Sequence, residues 1–513
     1  MKDMRRAGIL GIAFVVVCFS GGLLATNEPP SEARPDQRPS GRSTITPLVR
    51  TVDLDVKEAQ TVELADGSTA AVRLIDVQET RDTMRNAVRE ARVTVEVNGS
   101  TVTLVSAMYH LPVTIGKVQI DCPITQGVVA NSINKVWALT KAARLRLWPA
   151  GSPWIRPGTF RYPVRQIWFA SDTQMANEPV FVNDLERPGL TSIYYHYGLD
   201  FGGAEGLVEV VAATDGLVVS ASGQTLPGYS DSPAKKRYDV VYVVDGRGWY
   251  YRYSHLMTIE VKPGQNVRIG ERIGLLGKEG ASGGYSHLHF DVTSRLPSGE
   301  WGIEDAYAYA WQSYLQEYRP SILAVARPHH FVAVGQKALL DGRKSWSAAG
   351  PILRYEWTFT DGGTAAGPTA ERIYRKPGTY SEILKVVDKA GRSAWDVAVV
   401  QVVDPTRPDL LPPTIHAAYC PTVGIRPGDP VTFKVRSFRT TAGEESWDFG
   451  DGSPRVRVKS DAVMDTASPN MQAKDGYAVT QHRYEQPGQY FVRVERTNDR
   501  GETAIGHLIV KVE

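Results

Sequence analysis

Alternating apolar and polar positions dominate the chain between residues 51 and 150. ARVTVEV (91–97) and STVTLVS (100–106) place apolar side chains at every second position, the period of a strand with one buried face. Asn98-Gly99 lies between them. Both residues tolerate the left-handed backbone of a two-residue turn, so the segment predicts a hairpin. Helical periods are rarer. Ile133, Val136, Trp137 and Thr140 fall on one face and predict a helix over 132–145. Tyr307, Trp311, Tyr314, Leu315 and Tyr318 predict another over 304–317, with Pro320 as a stop. Short apolar runs between Gly and Pro turns fill 261–284 and predict tight hairpins. The chain therefore reads as mostly β.

Two segments depart from this pattern. Residues 7–25 are an unbroken apolar or small-residue run behind a basic start (MKDMRR), as in a secretory signal cut after Ala25. An uncleaved membrane anchor and a lipoprotein attached at Cys18 are the alternatives. All three export the remainder, to the periplasm, cell envelope or extracellular space. Residues 26–50 are rich in Pro, Ser, Arg and Glu without periodicity and read as a flexible linker.

Beyond residue 325 the chain repeats itself. WTFTDGG (357–363) matches WDFGDGS (447–453), and YRKPGTY (374–380) matches YEQPGQY (484–490). The first pair is offset by 90 residues and the second by 110, so the second copy holds a 20-residue insertion between 453 and 482. Trp357 and Trp447 are the expected anchors of two β-sandwich cores. Both copies resemble PKD (polycystic kidney disease) domains, with Thr358 and Thr360 departing from the fuller Trp-Asp-Phe-Gly-Asp-Gly pattern of the second. Such modules imply spacing, or contacts to glycans or proteins.

Charge changes the picture little. Lys+Arg 58 against Asp+Glu 56 leaves a net +2, and the leader carries that excess, so a nucleic-acid partner is not expected. A membrane contact follows only if the leader stays uncleaved. Three cysteines cannot build a thiolate metal site, and one of them is Cys18. Any metal must be held by His and carboxylate. Whether Cys122 and Cys420 pair is left open by their placement in different regions.

Between His110 and His329 there are four histidines, each in a telling context. HYGLDFGG (196–203) spaces His196 and Asp200 four apart among glycines. YYRYSHL (250–256) offers His255 on an alternating run. YSHLHFDV (285–292) puts His287 and His289 on one strand face, with Leu288 and Phe290 on the other. Singly, each would be an ordinary surface or structural feature. Their ordered combination resembles the LytM/lysostaphin family of zinc metallopeptidases over roughly 160–300.

That resemblance implies one zinc ion per catalytic domain, held by His196, Asp200 and His289, with the fourth position left for water. It implies His255 and His287 as the catalytic pair, with His287 as general base. It also implies peptidoglycan stem or cross-bridge peptides as substrate. A non-catalytic cell-wall or glycan-binding scaffold and an exported zinc protease of protein substrates are the competing readings. Tyr194, Tyr195, Tyr197, Tyr251 and Tyr285 flank the motifs, as groove lining or as sheet packing.

The expected organisation is a leader (1–25), a linker (26–50) and an N-terminal β-rich domain without assigned role (51–155). A lysostaphin-like antiparallel-sheet zinc metallopeptidase domain follows (156–322). A first PKD-like Ig-type sandwich (323–404), a Pro-rich linker (405–413) and a second sandwich (414–513) complete it.

Overall fold

The computed structural model describes residues 44–171, 193–407, 409–465 and 467–513. The leader and most of the linker predicted from sequence lie outside these residues. Strands dominate, and two α-helices occur among the described residues, Gln126–Asn131 and Tyr307–Tyr318. Neither is long and apolar enough to cross a membrane.

The N-terminal alternation produces two four-stranded antiparallel sheets. One is a meander of Ala59–Glu63, Thr69–Arg81, Val88–Val97 and Ser100–Ser106. Its last turn is the expected Asn98-Gly99 hairpin, with φ of 48° and 81°. The other sheet holds Arg50–Leu54, Ala143–Pro149, Val118–Thr125 and Val113–Ile115. Their apolar faces share one core containing Leu54, Leu74, Val93, Val95, Ile120 and Leu145.

The helix expected over 132–145 does not form. Residues 133–142 are irregular, and a strand begins at Ala143. The backbone groups there have other partners. The buried Arg144 guanidinium donates to the carbonyls of Trp137 (2.6 Å) and Ala138 (3.2 Å) and pairs with Asp53. Ile303 N donates to Val136 O at 2.9 Å. Trp137 and Leu139 are buried against Ile193, Tyr195 and Ile303 of the next region, so their period reflects a plug between two sheets. The helix expected over 304–317 forms at Tyr307–Tyr318, closed by Arg319 in the left-handed conformation just ahead of Pro320.

The central region is built on an eight-stranded sheet. Its path runs Gln224–Thr225, Gly216–Ala221, Val241–Val244, Tyr250–Ser254, His287–Arg295, Trp301–Glu304. Leu199–Gly202 pairs with the first half of the long His287–Arg295 strand, whose second half pairs with Trp301–Glu304. A three-stranded sheet (Glu209–Val211, Arg272–Leu276, Leu256–Ile259) and the Tyr307–Tyr318 helix pack around the same core.

Two sandwiches follow, each around one tryptophan. Trp357 is 1% exposed and Trp447 is fully buried. Removing the larger part of such a side chain leaves a cavity, so Trp447→Ala should cost about 3–5 kcal/mol of stability in a denaturant titration. Strands Gly378–Asp388 and Thr503–Val512 meet in parallel at Thr379 and Ala504, joining the main sheets of the two modules into one of nine strands.

Cys122 and Cys420 are both free. Two buried histidines matter more for stability. Burial pushes His416 down to about 3 and His507 down to about 4, with Arg493 adding to the latter. In the unfolded chain each returns to about 6.5 and binds more protons below that pH. Their contribution to stability is therefore complete above pH 6.5 and lost as pH falls towards 4. The denaturation midpoint should be lower at pH 4.5 than at pH 7.5, and less so in His507→Gln.

Candidate active site

The register of the central sheet sets the site. Asp200 lies directly opposite His289 on one side, and Ser254 lies opposite it on the other. Leu199, Phe201, Leu288 and Phe290 are at most 1% exposed and hold this zipper in the core. Asp200, His287 and His289 therefore project from the opposite face. His196 enters from the turn before the Leu199–Gly202 strand. Gly198 in that turn has φ of 83°, and a Cβ there would lie 2.6 Å from the Phe290 carbonyl oxygen, so only glycine lets the turn approach the strand.

Three ligand atoms converge. His196 Nε2 and His289 Nδ1 are 3.0 Å apart. They lie 3.0 Å and 2.9 Å from the same Asp200 oxygen, Oδ1. All three residues are buried, and their donor atoms lie within 4.8 Å of one another. Two imidazole nitrogens and a carboxylate turned on a single point make poor mutual hydrogen-bond partners. As a donor set they fit zinc. His289 Nε2 lies 3.1 Å from Asp291 Oδ2, which fixes the ring with Nδ1 towards the cluster. Arg252 holds Asp291 at 3.3 Å and touches the Tyr197 hydroxyl. Burial alone would raise Asp200, but His196 and His287 outweigh it and hold the carboxyl well below its ordinary value.

His287 stands beside this cluster with Nε2 3.5 Å from Asp200 Oδ2. Its Nδ1 lies 3.0 Å from the Tyr285 carbonyl oxygen. A carbonyl can only accept, so Nδ1 carries the proton and Nε2 is the free lone pair. Burial pushes the ring down to about 3, keeping it neutral. The His255 ring centroid is 4.8 Å from that of His287. His255 Nδ1 donates to Glu279 O at 2.6 Å and lies 3.5 Å from Asp239 Oδ2. His255 has φ of 67°, costly for a non-glycine residue and concentrated at functional sites. All five residues proposed from sequence are thus brought together.

Asp239, Arg252 and Asp291 were not singled out in the sequence. Asp291 was reachable by the rule that paired His287 with His289, since it is the next residue on that face. Asp239 follows from extending the Val241–Tyr253 register two places, which sets it opposite His255. The tyrosines divide. Tyr195 and Tyr251 are buried packing residues, the first bonded to Val88 N and the second to Asp245 and Arg247. Tyr197 stands edge-on to the His289 ring at 5.3 Å. Tyr285 stacks on Phe438 of the second sandwich, 3.7 Å between centroids and 3° from parallel.

Comparison with known proteins places these features in context. Residues 194–298 match the model of Peptidase family M23, and residues 319–402 and 414–507 each match a PKD domain. An uncharacterized metalloprotease of Haemophilus influenzae is 29% identical over 186 residues, 34% of this chain and 35% of that protein. The peptidoglycan DD-endopeptidase ShyA of Vibrio cholerae is 32% identical over 135 residues, 26% of this chain and 27% of that protein. The chain thus spans about a third of the length of these relatives or less. Among solved structures, the lysostaphin catalytic domain from Staphylococcus simulans is similar at 23% identity, covering 28% of this chain and 91% of that one, with a TM-score of 0.20. Residues 194–298 thus carry the signature of a Peptidase family M23 domain, and two regions that match PKD domains follow it.

Proposed function

We propose that this protein is an exported zinc endopeptidase that hydrolyses peptide bonds in the stem or cross-bridge peptides of peptidoglycan. The observation that carries the reading is the convergence of His196, Asp200 and His289 beside a neutral, anchored His287. The apolar leader supports export. Similarity to a peptidoglycan DD-endopeptidase supports the substrate class.

His196, Asp200 and His289 would hold the metal. A zinc ion there supplies Lewis-acid polarisation of the attacking water and the scissile carbonyl. His287 accepts the water's proton at Nε2, because Nδ1 is committed to the Tyr285 carbonyl. His255, with Nδ1 held by Glu279 O, is backed by the Asp239 carboxylate, which offsets part of the burial penalty on a charged ring. Burial still holds the ring below its ordinary value, so it donates to the oxygen of the tetrahedral centre only when Nε2 is protonated as well. Asp291 and Arg252 keep the His289 ring oriented.

The test is zinc content measured together with dye release from purified peptidoglycan. One zinc per chain with released dye, and a cut at a stem or cross-bridge bond by mass spectrometry, is expected. Full zinc occupancy without release would leave a binding scaffold instead. Cleavage of pentaglycine or elastin-like substrates but not of stem peptides would redirect the reading to a protease of proteins.

A further inference from the structure

The second PKD sandwich does more than follow the peptidase domain in sequence. It closes on the loop that leads into the His287 strand. The buried Arg436 guanidinium donates to Gly284 O at 3.3 Å, and the Tyr285 hydroxyl meets Thr414 Oγ1 at 2.9 Å. Gln472 Nε2 donates to Gly280 O. Gly284 lies directly against the docked insertion. With φ of 84°, it would bring a Cβ to 3.1 Å from the Met471 carbonyl oxygen. Much of this surface comes from the insertion that separates the second module from the first. Arg436 organises that insertion by donating to Asp461 O, Asn470 O and Met471 O.

At the end of the insertion stands Tyr477, 5% exposed. Its hydroxyl accepts from Ser286 N at 2.7 Å and donates to His416 Nδ1 at 2.8 Å. His416 Nε2 then meets Ser171 Oγ at 3.2 Å. The Ser286 N–H and the Tyr285 C=O belong to one planar peptide unit. The carbonyl end of that unit anchors His287 Nδ1, and the N–H end is anchored by Tyr477. Burial keeps His416 neutral, so it can accept the tyrosine proton. A hydrogen bond at one end of a peptide also polarises its other end.

We propose that Tyr477, supported by His416, is a positioning residue for the peptidase reaction, acting through the Tyr285–Ser286 peptide to hold His287 in its base-competent orientation. The second PKD module is on this reading an integral part of the catalytic centre. The inference rests on the role assigned to His287 above.

The experiment compares full-length, zinc-loaded wild type with Tyr477→Phe, His416→Leu and Gln472→Ala. Tyr477→Phe keeps shape and loses one hydroxyl. It should lower kcat about 10-fold with KM and zinc content unchanged, and nitrogen NMR should show His287 losing its single Nδ1–H tautomer. His416→Leu should shift kcat in the same sense and carries the test if Tyr477→Phe does not fold. Gln472→Ala breaks a hydrogen bond on the same face and should stay within 2-fold of wild type. Wild-type kcat and an unchanged tautomer in Tyr477→Phe would overturn the proposal, as would an equal loss in Gln472→Ala, which would mean general docking. An inactive wild type would instead remove the assigned peptidase function, a separate outcome.

Discussion

His287→Ala should bind one zinc ion per chain and hydrolyse almost nothing. The side chain contributes no atom to the group formed by His196, Asp200 and His289, so metal content measured by atomic absorption should match wild type. Hydrolysis should fall by roughly 10²–10⁴-fold, the usual contribution of a positioned general base. His287→Gln is the sharper variant. It can keep a polar contact to the Tyr285 carbonyl yet cannot accept a proton at neutral pH, so it should be as inactive as alanine. Wild-type rates in either variant would transfer the base role elsewhere, with His255, its ring centroid 4.8 Å away, the next candidate.

Asp200→Ala should fail one step earlier, at the metal. Asp200 Oδ1 is the point shared by both ligand nitrogens, at 2.9 Å and 3.0 Å. Without it two imidazoles remain, and zinc stoichiometry should fall well below one with activity at background. Stability provides an independent reading. A ligand that binds only the folded state raises stability with its concentration over Kd. Chelation should therefore lower the wild-type Tm, and added zinc should restore it. In Asp200→Ala the Tm should respond to neither. A full zinc complement in this variant would disprove the ligand set.

Much of the site was legible because strands carry strict rules. Period two put His287 and His289 on one face, and four-residue spacing around glycines brought His196 to Asp200. What the sequence could not display was the register that seats Asp200 against His289, since antiparallel pairing is fixed by packing of Leu199, Phe201, Leu288 and Phe290. The failed helix over 132–145 shows the opposite case. Its apolar spacing was genuine, but Arg144 takes the carbonyls of Trp137 and Ala138, and tertiary partners displaced the helical ones. Tyr477 and His416 were invisible for a third reason. They lie some 190 and 130 residues from the loop that they touch, and only the docked insertion brings them there.

The parallel pairing of Thr379 with Ala504 between the two modules has a mechanical consequence. Thr379 Oγ1 also donates to the Pro413 carbonyl, clasping the intervening segment. The shared sheet and this clasp restrict how far the two modules can turn about the connection between them. The second module rests on the loop before His287, while the first sits against the N-terminal region, where Gln336 donates to Thr83 and Arg85 lies over Phe331. A displacement of either module would then be carried through the shared sheet to the loop before His287 rather than absorbed at a hinge.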